Sequence, residues 1–236
     1  VRLRELREQS DAITINRRLN PKIWQDGNLD PQVADKLKEI AEAFVDFIAI
    51  ELDIVDLTIT GSNANYTWTE YSDLDLHVIV SGMPDERSRE LFNAKKTLWA
   101  DQHDITVKGL PVECYVQGEE EKHHSTGVYS LLDAAWVVEP KKTKPQVDDS
   151  AVDAKKDAVL HDIEVALLSK DLDKIRTVKD KITQMRKAGL ARAGEWSTEN
   201  LVFKIIRNLG LIDQIAEKIR ELEDQELSLE QAQQLV

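Results

Sequence analysis

Positive charge is what this chain is short of. It carries 31 lysines and arginines against 44 aspartates and glutamates, a formal net charge of −13 over 236 residues. Nucleic-acid binding draws on neutralisation of phosphates by Lys and Arg, so the balance argues against a protein that wraps a long polyanion. Cysteine is nearly absent as well. With Cys114 alone, an internal disulfide is impossible and nothing requires an oxidising compartment. Long apolar runs are missing too: none approaches the roughly 20 residues that span a bilayer. The charged start "VRLRELREQSD" lacks the apolar centre of a signal peptide. The expectation is a soluble protein of a reducing cytoplasm with no membrane partner.

What is present is 42% hydrophobic content, enough for one large core or two smaller ones. The acidic excess is uneven. Residues 1–150 hold 17 Lys and Arg against 28 Asp and Glu, whereas residues 151–236 hold 14 against 16. Between Lys170 and Arg192 eight basic residues face only three acidic ones. Such a stretch is either a solvated helix surface or a groove for phosphates.

Periodicity orders the chain. Asp30 before Pro31 is an N-cap followed by proline in the first turn, and Val33, Leu37, Ile40, Phe44 and Ile48 then recur at helical spacing. Leu57 and Ile59 mark a short strand ending at Gly61, and "DLDLHVIV" marks the next, stopped by Gly82 and Pro84. Residues 85–100 read as a helix, and "DITVKGLPVECYVQ" as a hairpin around Gly109-Leu110-Pro111. In its second arm Val112, Cys114 and Val116 share one face while Glu113, Tyr115 and Gln117 share the other. "EPKKTKPQVDDS" has two prolines, a charge run and no period, as a linker would. Beyond it all is helical: Leu172, Ile175, Val178, Ile182 and Met185 form one stripe, Ile212, Ile215, Ile219 and Leu222 another. The predicted fold class is therefore α+β, a small mixed β-sheet core with flanking helices followed by a C-terminal helical bundle. The expected boundaries are a domain over 1–140, a linker over 141–150 and a helical domain over 151–236.

One stretch, "GSNANYTWTEYSDLDLHVIV", departs from what a strand needs. Leu74, Leu76, Val78 and Val80 alternate as a buried face, yet Asp73 and Asp75 fall together on the other. Carboxylates are poor strand formers, and two on one face repel unless a cation or a proton sits between them. At i and i+2 their Cα atoms stand about 6–7 Å apart. They can therefore share a hard cation such as Mg²⁺, which takes oxygen ligands and bridges carboxylates to substrate phosphates. A third carboxylate from a neighbouring strand would complete a two-metal site for in-line displacement at phosphorus. Glu113 is the candidate, with Asp104 on the other hairpin arm next in line. Gly61 admits a phosphate to its N–H without a Cβ clash, and Ser62 adds a hydroxyl donor. His77 shares the face of Asp75 but reads as a plain strand histidine, and His123 and His124, without partners at ligand spacing, as loop residues. Tyr66, Trp68 and Tyr71 would either stack on a base or pack on their own domain.

Gly-Ser, a loop of ten residues from Asn63 to Ser72, then Asp73-Leu74-Asp75 on a strand resembles the signature of the polymerase beta-like nucleotidyltransferase superfamily. The segments "LNPKIW", "STGVYSLLDAAWVVEP" and "ENLVFKIIRNLG" are similar to a bacteriophage-encoded subgroup of it. The resemblance implies that Asp73 and Asp75 bind both metals, Mg²⁺ or alternatively Mn²⁺, with Glu113 as third ligand where many members have Asp. It implies that Gly61 and Ser62 hold the triphosphate. In related enzymes a lysine on a later helix contacts the nucleotide phosphates, and Lys204 is the matching candidate. Asn200, Lys204 and Arg207 otherwise read as a solvent-facing stripe.

The activity implied is transfer of a nucleoside monophosphate from a nucleoside triphosphate to an acceptor hydroxyl with release of pyrophosphate. The acceptor expected is an RNA end (a short one, given the charge), a nucleotide or a protein side chain, in the host cytoplasm if the chain is phage-encoded. The alternatives are a catalytically silent nucleotide-binding or virion-associated interaction module and a nucleotide second-messenger synthase.

Overall fold

Asp30 decides where the first long helix begins. Its carboxylate accepts the N–H of Gln32 at 2.8 Å, and Pro31 sits in the first turn, where an N–H would have no partner. Helix α1 (Pro31–Ile48) then buries Val33, Leu37, Ile40, Phe44 and Ile48, the stripe predicted from spacing. Just before it Trp24–Gln25 (β1) and Asn28–Leu29 (β2) pair as a minimal hairpin, too short to leave a periodic signal. The structure, a computed structural model, describes residues 15–82, 85–121, 125–142 and 147–228. They fall into two compact units, one of the described residues up to 142 and one of those from 147 onward.

The first unit is built on six strands: β3 (Ile54–Thr60), β4 (Leu74–Val80), β5 (Thr106–Val107), β6 (Leu110–Gly118), β7 (Val128–Ser130) and β8 (Ala135–Val138). Their order is β5-β6-β4-β3-β7-β8. Strands β4 and β6 run parallel and the other neighbours antiparallel, so the sheet is mixed, as expected. Parallel neighbours need a crossover, which helix α2 (Glu86–Gln102) provides. Asp85 caps α2 by accepting the N–H of Ser88 at 2.7 Å.

One face of this sheet is apolar. Leu57, Ile59, Leu74, Leu76, Val78 and Cys114 are buried in a single core with Phe44 of α1 and with Phe92 and Trp99 of α2. Each such side chain contributes about 1.5–3 kcal/mol by leaving water. The core thus fixes which way every strand faces, and the alternate residues must line the opposite, polar face.

The predicted hairpin exists, but it turns earlier than expected. Lys108 (φ 54°) and Gly109 (φ 75°) form a two-residue turn, and Leu110 and Pro111 already belong to β6. Positive φ at both central residues matches the twist of the flanking strands, whereas a turn through Leu110 and Pro111 would not. Strands β7 and β8 are additional; three and four residues are too few to alternate visibly. Pro84, His123 and His124 lie outside the described residues.

The second unit is helical: α3 (Asp149–Ser169), α4 (Leu172–Ala193), α5 (Thr198–Asn208) and α6 (Leu211–Leu227). Asp148, Asp171 and Ser197 cap the first three through their side chains. Helix α3 therefore starts inside the stretch read as a linker. Ile163, Ile175, Ile182, Val202, Ile206 and Ile215 are buried together, while Val178, Met185 and Ile212 of the predicted stripes are partly buried against them. A Cβ on Gly189 would stand 2.6 Å from Glu199 Cβ and 2.7 Å from Ser197 Oγ, so this glycine lets the start of α5 approach α4 closely.

Candidate active site

The strand β3 ends in a conformation only glycine takes comfortably: Gly61 has φ 73° and ψ −159°. A short 3-10 turn, Ser62–Ala64, follows and carries the chain into the loop before β4. Asn63, fully buried, organises that loop. Its Nδ2 donates to the carbonyls of Ser72 (3.2 Å) and Asp73 (2.7 Å), its Oδ1 accepts from Asn20 Nδ2 (2.7 Å), and its carbonyl accepts from Trp24 Nε1 (2.7 Å). Leaving any of these buried groups unpaired would cost about 1–3 kcal/mol, so the loop is held in one shape. The Ser62 hydroxyl donates to Ser72 Oγ at 3.0 Å, and the Gly61 N–H donates to Ser125 Oγ at 3.1 Å. Nothing in local periodicity marked Asn63; its partners lie up to 43 residues away.

Register assembles the carboxylates. Thr60 is opposite Asp75 across β3 and β4, and Asp75 is opposite Glu113 across β4 and β6. Asp73, just ahead of β4, joins them: each of the three side chains offers an oxygen within 4.8 Å of the other two. Among the described residues no other such group of three ligating side chains occurs; Asp104 is exposed and outside it. Two unit negative charges about 4 Å apart near a protein surface repel by about 4 kcal/mol. Three half-buried carboxylates this close are therefore an electrostatic liability that a divalent cation would relieve.

Glu113 is held by two side-chain donors. Lys96 Nζ of α2 lies 3.0 Å from its Oε2, and the Tyr115 hydroxyl donates to the same oxygen at 2.5 Å. Burial pushes the Glu113 carboxyl up, but the Lys96 ammonium and the Tyr115 hydroxyl outweigh it and hold the group below its ordinary value. Burial, with the charges of Asp75 and Glu113, pushes the Tyr115 phenol well above its usual range, so it stays a hydrogen-bond donor. On the opposite face of β6 burial raises Cys114 to about 12, which leaves its thiol inert as a nucleophile.

The remaining predicted residues are distributed as follows. His77 stacks on Tyr115, with ring centroids 4.7 Å apart and planes at 20°. Trp68 Nε1 donates to the Arg18 carbonyl, Tyr66 has Lys142 over its ring, and Tyr71 is exposed. Lys204 and Arg207 are half-buried on α5 in the helical unit, and Asn200 is 2% exposed, its Nδ2 donating to the Glu195 carbonyl at 2.7 Å. Asn200 is thus a packed residue rather than part of a solvent-facing stripe. In the basic stretch Lys174, Arg176, Lys181 and Arg192 pair with Asp171, Glu223, Asp162 and Glu199, so at least half of its positive charge is offset among the described residues of the unit. Among the described residues no helix is long and apolar enough to cross a membrane.

Comparison with known proteins bears on the sheet unit. No curated protein matches the chain in sequence. Among solved structures, the chain is similar at 10% identity and a TM-score of 0.22 to the STING-associated CdnE c-di-GMP synthase from Capnocytophaga granulosa, over 84% of this chain and 83% of that one. A likeness at that level carries no argument. Residues 37–133, which hold the Gly61 turn, Asp73, Asp75 and Glu113, match the family described as the nucleotidyltransferase domain.

Proposed function

We propose that this chain is a metal-dependent nucleotidyltransferase of the polymerase beta-like kind. It moves a nucleoside monophosphate from a nucleoside triphosphate to an acceptor hydroxyl and releases pyrophosphate. The observation that carries the reading is the convergence of Asp73, Asp75 and Glu113 within 4.8 Å beside the positive-φ turn at Gly61, inside the region that matches a nucleotidyltransferase domain. An all-carboxylate donor set suits a hard cation, Mg²⁺ or Mn²⁺, and these three residues would hold it. When bound, such a cation supplies neutralisation of the phosphates and alignment of the attacking and leaving oxygens.

The chain's own residues do the rest. Gly61 brings backbone close to the carboxylates; its N–H, donated to Ser125 Oγ, and the Ser62 hydroxyl, donated to Ser72 Oγ, are donors that a triphosphate would take over. These two hold the triphosphate, and Lys204 on α5 adds a positive charge to it. Residues 1–140 form the catalytic domain and 151–236 a helical substrate-binding one, with 141–150 as the linker. The acceptor is a hydroxyl on a short RNA, a nucleotide or a protein; the net charge of −13 disfavours a long RNA. From the resemblance of "LNPKIW", "STGVYSLLDAAWVVEP" and "ENLVFKIIRNLG" to a bacteriophage subgroup we infer a phage-encoded enzyme acting in the host cytoplasm.

The test is incubation with each α-labelled nucleoside triphosphate, Mg²⁺ or Mn²⁺, and host lysate. Pyrophosphate release with one macromolecule labelled is expected. Oligonucleotide products without added acceptor would identify a second-messenger synthase instead. No turnover of any triphosphate would leave a binding or virion-associated module.

A further inference from the structure

We propose that Tyr115 and Lys96 are positioning residues for Glu113, clamping one carboxylate oxygen so that the other is presented to a cation shared with Asp73 and Asp75. This rests on the metal-site reading above and adds to it two residues that lie outside the Gly61–Asp75 motif. The Tyr115 hydroxyl (2.5 Å) and Lys96 Nζ (3.0 Å) both donate to Oε2 of Glu113. The two donors come from different elements, Tyr115 from the same face of β6 and Lys96 from α2. Both bonds fall on Oε2, which assigns the role of ligand to Oε1; the Asp73 side chain is itself within hydrogen-bonding reach of the Glu113 carboxyl.

Glu113 needs such a clamp more than the aspartates do. Its side chain is 41% exposed and has one more rotatable bond than an aspartate, so without tethers it would populate several rotamers and present its charge diffusely. Carboxylates that ligate metals are themselves usually hydrogen-bonded, and those outer partners set orientation.

The clamp is itself braced. Lys96 Nζ lies 3.4 Å from the centroid of the Tyr115 ring, a cation–π contact, and the ring stacks on His77. His77 donates from Nδ1 to Gln117 Oε1 at 2.7 Å, and its Nε2 lies 3.1 Å from Thr60 Oγ1. Thr60 immediately precedes Gly61. A continuous line of contacts thus runs from the glycine turn across β3, β4 and β6 to the third carboxylate. It accounts for a histidine and a tyrosine on a sheet face whose other conspicuous residues are carboxylates.

The test measures Mn²⁺ binding to the full chain by electron paramagnetic resonance, with no triphosphate present. Wild type binds Mn²⁺ and Asp73→Asn loses it. Tyr115→Phe and Lys96→Met each weaken binding by about 10- to 100-fold, the usual cost of removing an outer partner. Lys96→Arg retains most of the affinity, because a guanidinium can reach Oε2 and still lie over the ring. Metal-free melting curves separate positioning from folding: Tyr115→Phe keeps the wild-type melt while binding Mn²⁺ more weakly. If Lys96→Met does not fold, Tyr115→Phe decides. Wild-type Mn²⁺ affinity in Tyr115→Phe, with Asp73→Asn inactive in binding, overturns the clamp and leaves the metal site standing. A wild-type chain that takes up no Mn²⁺, or an Asp73→Asn variant that binds as wild type does, overturns the metal-site reading and the clamp with it.

Discussion

A Cβ on Gly61 would stand 1.8 Å from Oδ2 of Asp75. The glycine is therefore required twice, once for its φ of 73° and once for the space its neighbour's carboxylate occupies. Gly61→Ala must push Asp75 aside, and misplacing a reacting group by about 1 Å costs about 100-fold in rate. Gly82 provides the control, since it has the same φ of 73° with nothing within 4 Å of its missing Cβ. Both variants lose about 1–3 kcal/mol of stability to backbone strain. Turnover assays and thermal melts of the pair should show activity lost in Gly61→Ala alone.

Removing the repulsion should separate stability from activity. Asp73→Ala combined with Asp75→Ala leaves Glu113 without like charges beside it, so the metal-free melting temperature is expected to hold or rise while turnover disappears. In wild type, Mg²⁺ with triphosphate raises the melting temperature more than either alone, by about 2.7 kcal/mol of stabilisation at 100 times the dissociation constant. The double variant shows no such rise. Surviving turnover in the double variant would remove the metal assignment.

Lys204 tests whether the helical unit takes part in catalysis. A charge-assisted contact to a triphosphate is worth about 1.5–3 kcal/mol, so Lys204→Ala should weaken apparent triphosphate affinity by about 10- to 150-fold. Lys218, which pairs with Glu221 at 2.7 Å on α6, is the control for loss of a positive charge. Equal, small changes in affinity for both variants would return Lys204 to a purely structural role.

The helical unit should also be acid-sensitive through Glu199. Its carboxylate, 11% exposed, accepts from Lys155 Nζ at 2.7 Å and Arg192 Nη2 at 2.6 Å. The Lys155 hydrogen bond is the main cause holding its pKa below the ordinary 4.5, with burial opposing. A depressed carboxyl stabilises the fold above its unfolded value, and that stabilisation is lost as pH falls through the lower, folded value. Melting temperatures measured from pH 7 downward should be level until about pH 4.5 and then fall. Glu199→Gln starts lower at neutral pH and falls less on acidification. Parallel acid limbs for the two proteins would show that Glu199 is not responsible.

Some of this protein is written in short stretches of sequence. Asp30 and Pro31 announce α1, alternation from Leu74 to Val80 announces β4, and apolar spacing announces the stripes of α4 and α6, because capping and amphipathicity depend on neighbours within one or two turns. The Gly61-Ser62 turn with Asp73 and Asp75 is local in the same way. Other features depend on which distant segments meet. Parallel pairing of β4 with β6 across α2 sets Glu113 against Asp75, and the direction of α2 brings Lys96 to Glu113. The burial of Asn63 among Asn20, Trp24 and Ser72 shapes the loop from segments more than 40 residues apart in the case of Asn20. A polar residue carries no periodic mark of the partner it will find. Residue type and spacing therefore determined which groups could do chemistry here, while strand order and register, set by burial of the apolar sheet face, decided which of them stand together.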